Sequence, residues 1–130
     1  FTGGHPDYQY QDIDGDMHNY GRGAAGIWAV LVEHFVVSNC EFDDNGNGFF
    51  VLSKGSEEEV SRDLLFEYNY LHNNGVVGSY LDHSIYTQVD GVVFQYNHIG
   101  KLRSGALGSI LKDRSAGTVI RFTSKILVVT

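Results

Sequence analysis

A single cysteine, Cys40, rules out an intrachain disulfide framework, and a single proline leaves no polyproline or collagen-like reading open. No run approaches the ~18–20 apolar residues that a helix needs to cross a bilayer, so no membrane segment is expected. Apolar residues nowhere recur at helical spacing over about ten positions, which argues against a helical repeat. Basic excess is also missing. The net charge is -7, and a nucleic-acid binder would show a basic face on a basic domain. The chain starts at Phe1 rather than Met, without a leader-like stretch, so a processed chain or a fragment of a longer protein is expected.

What is present is glycine and apolar surface. Hydrophobic residues make up 42 % of the 130, too many for a disordered chain, and the 16 glycines carry the turns that proline does not. Charge is uneven: thirteen of the sixteen acids lie in residues 1–67, and six of the nine bases lie in residues 101–125. That gradient leaves room for an anion site near the C-terminal end.

The segment LLFEYNYLHNNG, Leu64 to Gly75, recurs. Phe35 to Gly46 (FVVSNCEFDDNG) aligns with it upstream, and VVFQYNHI from Val92 and TVIRFTSK from Thr118 align downstream. Leu64, Phe35, Val92 and Thr118 share one column, and Phe66, Val37, Phe94 and Ile120 share another two residues on. Tyr68, Asn39, Tyr96 and Phe122 continue the alternation, with Glu67, Ser38, Gln95 and Arg121 in a polar column between. Period two with one apolar face is a β-strand. The next column reads Cys40, Asn69, Asn97, Thr123, which is nearly evenly spaced along the chain. Such a period fits the coil of a parallel β-solenoid, in which asparagines at a bend stack along the axis. Cys40 then occupies a packed turn position, and Phe66, Phe94, Tyr68 and Tyr96 stack inside.

A second set of segments begins at the evenly spaced glycines Gly48, Gly78 and Gly108, each leading a short extended run. Stacking these would align Ser53-Lys54, Asp82 to Tyr86 and Lys112 to Arg114 on one outer surface. Residues 1–26 are polar and read as irregular, with at most one short strand. Asp12, Asp14 and Asp16 around Gly15 suggest a Ca²⁺ loop, since hard cations take several carboxylate oxygens, or else a solvated acidic loop. The six histidines show no zinc-ligand pairing.

With these repeats the chain resembles the right-handed parallel β-helix family of pectate-lyase-like and other polysaccharide-active proteins. The residues that carry the likeness are VVFQYNHI, LLFEYNYLHNNG, His83-Ser84-Ile85-Tyr86 and Gly108 to Ser115, over about residues 27–122. The expectation is one all-β domain over residues 1–130, with 27–130 forming about four to five coils. The family implies a secreted or cell-surface, polysaccharide-facing protein. Neither terminus reads as a cap, and the last coil carries Thr123 and Lys125 where Asn and an apolar residue belong. Pairing with a second copy through residues 118–130 would cover that end.

Two classes of function follow. Lyase cleavage of an acidic glycan by β-elimination needs a cation for the sugar carboxylate, a base for the neighbouring proton and an acid for the leaving oxygen. Lys112 is the candidate base, Arg114 the carboxylate clamp, and His83 or Tyr86 the proton donor. The alternative is a non-catalytic glycan-binding or structural solenoid of the tailspike or adhesin kind, with Trp28, Tyr80 or Tyr86 stacking on sugar. A glycosidase using Asp82, Asp90 and Asp113 ranks below both. As plain surface residues, Lys112 and Arg114 would pair with Asp82 and Asp113.

Overall fold

A computed structural model describes residues 1–125, and its architecture follows from the repeat. After an antiparallel hairpin of β1 (Gln9–Gln11) and β2 (Met17–Asn19), each coil lays down three strands in turn. The first coil gives β3 (Ala25–Val30), β4 (Glu33–Ser38) and β5 (Glu41–Asp43). The second gives β6 (Asn47–Leu52), β7 (Ser61–Glu67) and β8 (Tyr70–His72), and the third β9 (Ile85–Thr87), β10 (Val89–Gln95) and β11 (His98–Ile99). The fourth gives β12 (Lys112–Asp113), β13 (Ala116–Arg121) and β14 (Ser124–Lys125). Corresponding strands pair in parallel into three sheets, ordered β12-β9-β6-β3, β13-β10-β7-β4 and β14-β11-β8-β5. The protein is therefore an all-β parallel β-helix of four rungs, about three turns, rather than four to five coils. Residues 1–24, expected to be irregular with at most one short strand, instead hold the two paired strands of the β1–β2 hairpin.

The register in the middle sheet is the one the columns predict. Phe35, Leu64, Val92 and Thr118 are partners, as are Val37, Phe66, Phe94 and Ile120. Inward Phe42, Phe49, Phe66 and Phe94 are fully buried, and their rings meet at centroid distances of 4.7–6.1 Å. Truncating one such ring costs about 3–5 kcal/mol, so this aromatic spine dominates the packing energy.

The alternation breaks one residue earlier than expected, at the corner between the middle and third sheets. Asn39, Tyr68, Tyr96 and Phe122 all take left-handed backbone angles, with φ between 49° and 55°. That turn throws their side chains outward and lets the next residue point in. Tyr68 and Tyr96 are 52 % and 44 % exposed and stack outside the barrel, at 4.9 Å and 9°, with Phe122 continuing the stack at 5.1 Å. They do not join the core. Asn69 and Asn97 turn inward instead: Asn69 Oδ1 accepts the Cys40 N–H (2.9 Å), and Asn97 Oδ1 accepts the Asn69 N–H (3.0 Å). Their amides donate to Val37 O and Phe66 O at 2.9 Å. Each asparagine thus satisfies backbone groups that the bend leaves without strand partners.

A second corner repeats the device. Asp44 and Asn73 are left-handed, and the following Asn45 and Asn74 are buried, with Asn45 Nδ2 donating to Asn74 Oδ1 at 3.0 Å. The N-terminal segment completes this ladder. Gly4 N donates to Asn45 Oδ1 (3.0 Å), Phe1 N to Glu41 O (2.7 Å), and the Phe1 ring stacks on Phe42 at 5.0 Å. Residues 1–5 therefore cover the first coil, whose end had been expected to lie open. At the far end Val119, Ile120 and Phe122 are exposed. The surface expected to pair with a second copy falls partly on residues 126–130, outside the described residues.

Candidate functional site

The outer face of the sheet β12-β9-β6-β3 gathers the chemistry. Register sets Trp28 beside Phe50, Phe50 beside Tyr86, and Tyr86 beside Lys112, so one outward column runs along the axis through all four rungs. Three aromatic rings stack in it, Trp28 on Phe50 at 4.5 Å and 20°, Phe50 on Tyr86 at 4.5 Å and 12°. Rings stacked at the rung spacing turn their edges to solvent, which makes the column a narrow apolar ridge. Trp28 is 51 % exposed, well beyond what packing in the stack needs.

Beside the ridge lies a cavity of about 600 Å³, with Trp28 and Phe50 in its floor. Pro6 and Arg22 of the N-terminal segment form one wall, and Val77 and Leu81 of the loop 73–84 help form the other. That loop is braced. Ser79 Oγ donates to Asp82 Oδ2 (2.6 Å) and Asn47 Nδ2 to Asp82 Oδ1 (3.1 Å). Gly78 N bonds Gly105 O and Leu107 N bonds Ser79 O, so the loop 100–111 supports it from behind. Tyr80 and Leu81 stand exposed on its crest.

The glycine-led segments do not align as their even spacing suggests. Phe49 pairs with Ile85, a long step along the chain, and Tyr86 pairs with Lys112, a shorter one. Gly78 to Leu81 belongs to the wall loop. Gly48 and Gly108 are glycine for reasons of space: a Cβ on Gly48 would lie 2.4 Å from Ser84 O, and one on Gly108 would lie 1.8 Å from Asp82 O.

Of the four residues expected to carry out an elimination, three come together. Tyr86 and Lys112 are neighbours in register, and the His83 ring lies against Tyr86 with centroids 6.0 Å apart. His83 is only 3 % exposed; its Nδ1 accepts the Ser109 N–H at 2.9 Å. Burial, then the charge of Lys112, lower its pKa from the ordinary histidine value against the opposing pull of Asp82, so it is neutral near pH 7. Arg114 is exposed just past β12, where its backbone N donates to Thr87 O (2.8 Å). Neither Lys112 nor Arg114 is ion-paired with Asp82 or Asp113 among the described residues.

Asp113 is engaged elsewhere, accepting from Thr87 Oγ1 (2.9 Å), Ser115 N (3.0 Å) and Thr118 Oγ1. Burial alone would raise its pKa, but these bonds outweigh it and hold the carboxyl below the usual range. Asp90 lies on β10 in the middle sheet, whereas Asp82 precedes β9 and Asp113 ends β12 of the neighbouring sheet, so the three acids do not share one sheet face. Asp12, Asp14 and Asp16 sit in the β1–β2 turn, where Asp12 Oδ1 accepts the Asp14 and Asp16 N–H groups and Asp12 Oδ2 bonds His18 Nε2 at 2.7 Å. The His18 bond, then the Asp16 N–H, lower the Asp12 pKa. No group of three acidic, histidine or cysteine side chains suited to a metal forms among the described residues.

Sequence reasoning missed Phe50 and Arg22. The signal for Phe50 was the doublet Phe49-Phe50, in which one ring must face out on a strand. The fold and this face together define a parallel β-solenoid with an aromatic-floored groove along one sheet. Comparison with known proteins adds no relative, since no family model, no curated protein and no solved structure matches the chain.

Proposed function

We propose that the protein is a non-catalytic glycan-binding β-helix that takes a polysaccharide along the outer face of the β12-β9-β6-β3 sheet. The observation that supports this most is the Trp28–Phe50–Tyr86–Lys112 column beside its walled groove. Aromatic edges meet the apolar C–H surfaces of sugar rings, while Arg22 at one end and Lys112 at the other suit carboxylates on an acidic glycan. The chain as a whole repels anions, so this local pair of cations gives the face its preference.

Titration calorimetry against uronate and neutral oligosaccharides tests the reading. Wild type binds the uronate series more tightly. Trp28→Ala weakens both series about tenfold or more, and Lys112→Gln weakens only the acidic one. Absence of binding to either series, or unchanged affinity in Trp28→Ala, refutes it.

A second reading keeps the same face and adds elimination chemistry, favoured by the register pairing of Tyr86 with Lys112. Here Lys112 removes the proton beside the uronate carboxylate, Arg114 binds that carboxylate and Tyr86 protonates the leaving oxygen. Neutral His83, already accepting the Ser109 N–H, fits the donor role less well than Tyr86. Growth of ultraviolet absorbance from an unsaturated product on alginate, pectate or chondroitin, lost in Lys112→Ala, would favour lyase over binding alone.

A further inference from the structure

The fourth rung is held to the third on this face by little strand. Its β12 has two residues, Lys112 and Asp113, and the chain before them is gripped at Ser109. Ser109 O accepts the Ser84 N–H at 3.0 Å, and the Ser109 N–H donates to His83 Nδ1 at 2.9 Å. Lys112 follows three residues later, with Asp113 and Arg114 bonded to Thr87 on its other side, so Ser109 is the N-terminal anchor of the segment that sets Lys112 beside Tyr86.

The imidazole can accept at Nδ1 only as the tautomer with its hydrogen on Nε2. Protonation places a second hydrogen on Nδ1, opposite the Ser109 N–H, and two donors then face each other across 2.9 Å. We infer that His83 is an acid-release latch: its neutral ring fastens the Ser109–Lys112 segment to the third rung, and its protonation releases Ser109 and loosens Lys112 from its N-terminal side. The consequence for ligand retention rests on the glycan-binding reading; the latch itself does not.

The groups around the ring agree with this assignment. Lys112 of β12 opposes protonation and Asp82 of the preceding loop favours it. The Tyr86 ring of β9 lies against the imidazole, and Asn47 Oδ1 of β6 accepts the His83 backbone N–H at 2.8 Å. With burial added, the folded pKa lies below the unfolded one, so the unfolded chain binds the proton first on acidification. The latch contributes fully above the unfolded value of about 6.5 and is lost as pH falls through the lower folded value.

The prediction has a distinctive sign. Acid in general makes a protein surface less negative and so favours anion binding. An opening latch loosens Lys112 and weakens it.

Hydrogen exchange at the Ser109 amide, without ligand and corrected for intrinsic rates, is measured from about pH 7.5 to pH 5, with Phe94 of β10 as internal reference. In wild type, protection at Ser109 falls at least tenfold in acid while Phe94 stays protected. His83→Gln, whose carbonyl can accept the same N–H without titrating, abolishes the pH dependence. Constant protection in wild type, or equal loss in His83→Gln, overturns the latch. If His83→Gln does not fold, wild-type NMR decides: the Ser109 amide shift must titrate with the His83 ring, and independent titration overturns the inference. Uronate affinity, measured in parallel, falls severalfold in acid in wild type and not in the variant. Loss of protection with no glycan bound upholds the latch and refutes the binding reading alone.

Discussion

Replacing Asn69 by alanine removes one rung of an internal ladder, and its cost can be worked from the bonds lost. Asn69 is 2 % exposed, and its side chain holds two backbone groups, the Cys40 N–H and the Val37 carbonyl, both at 2.9 Å. Alanine leaves both without partners, in a space too confined for easy solvation. Each such orphan costs about 1–3 kcal/mol, so the variant should lose about 2–6 kcal/mol. A domain of this size has about 5–15 kcal/mol in all, which makes the change large. Urea unfolding followed by fluorescence of Trp28, the one tryptophan, measures it. Asn19→Ala is the control, since Asn19 is exposed and accepts only from Gln9 Nε2 (2.9 Å); its cost should stay within about 0.5 kcal/mol. Asn69→Asp adds a check of sign. A carboxylate there accepts from Cys40 but cannot donate to Val37 O, whereas the protonated acid can do both. Burial raises such a carboxyl's pKa, so the variant gains stability as pH falls, opposite to most acid denaturation. If Asn69→Ala costs no more than Asn19→Ala, the ladder does not hold the corner and this reasoning fails.

Gly108→Ala should detach the fourth rung, because its Cβ would lie 1.8 Å from Asp82 O; limited proteolysis should then cut between residues 100 and 115 while the first three rungs survive. Tyr96→Asn exchanges ring stacking for a residue that tolerates φ near 55°, so its stability should stay within about 1 kcal/mol of wild type, whereas Phe94→Ala two residues away should lose about 3–5 kcal/mol. Asp44 accepts from Arg103 Nη2 (2.6 Å) and Tyr8 Oη (2.9 Å). Burial pushes its carboxyl up, but these bonds and the Arg103 charge outweigh that and lower its pKa. The stabilisation it gives is present above the ordinary aspartate range and is lost as pH falls through the lower folded value. Asp44→Asn should accordingly flatten the acid limb of a thermal-melt pH profile, and an unchanged limb would refute the assignment.

The middle sheet was legible because each of its columns is filled four times, and period-two alternation with a recurring asparagine points to a stacked coil. Its corner was misread by one position. Tyr68 and Tyr96 obey the alternation by type, yet left-handed angles in three successive aromatic residues of that column carry a local cost that sequence pattern does not display. A similar column went unread six residues before each asparagine position, where His34, Asp63, Gly91 and Gly117 all have positive φ. Two glycines in one column were the available sign of a shared bulge. The second asparagine ladder, Asn45 over Asn74, was visible as the repeated pairs Asn45-Gly46 and Asn74-Gly75, but only two rungs carry it.

The site face was harder to read for a reason built into solenoids. Rungs of the middle sheet recur almost evenly, through Phe35, Leu64, Val92 and Thr118. The outward column of the site sheet instead takes a short step from Trp28 to Phe50, a long one to Tyr86 and an intermediate one to Lys112. Total advance is nearly equal, so the variation is chain moved between corners: loop 73–84 lengthens before β9, and loop 100–111 stands behind it. Pairing by evenly spaced glycines averaged over that movement and put the wall loop into the sheet. Regular spacing marks where stacking alone sets the sequence. Where spacing departs from it, on the sheet that holds Trp28, Tyr86, His83 and Lys112, extra chain has built a wall, and residues that reach this face from different rungs share no sequence neighbourhood. Lys112 was found through its basic surroundings and Tyr86 through its polar cluster, but their contact depends on a step between rungs that no motif encodes. A repeat therefore identifies this scaffold, and its interruptions locate the surface on which a ligand is to be sought.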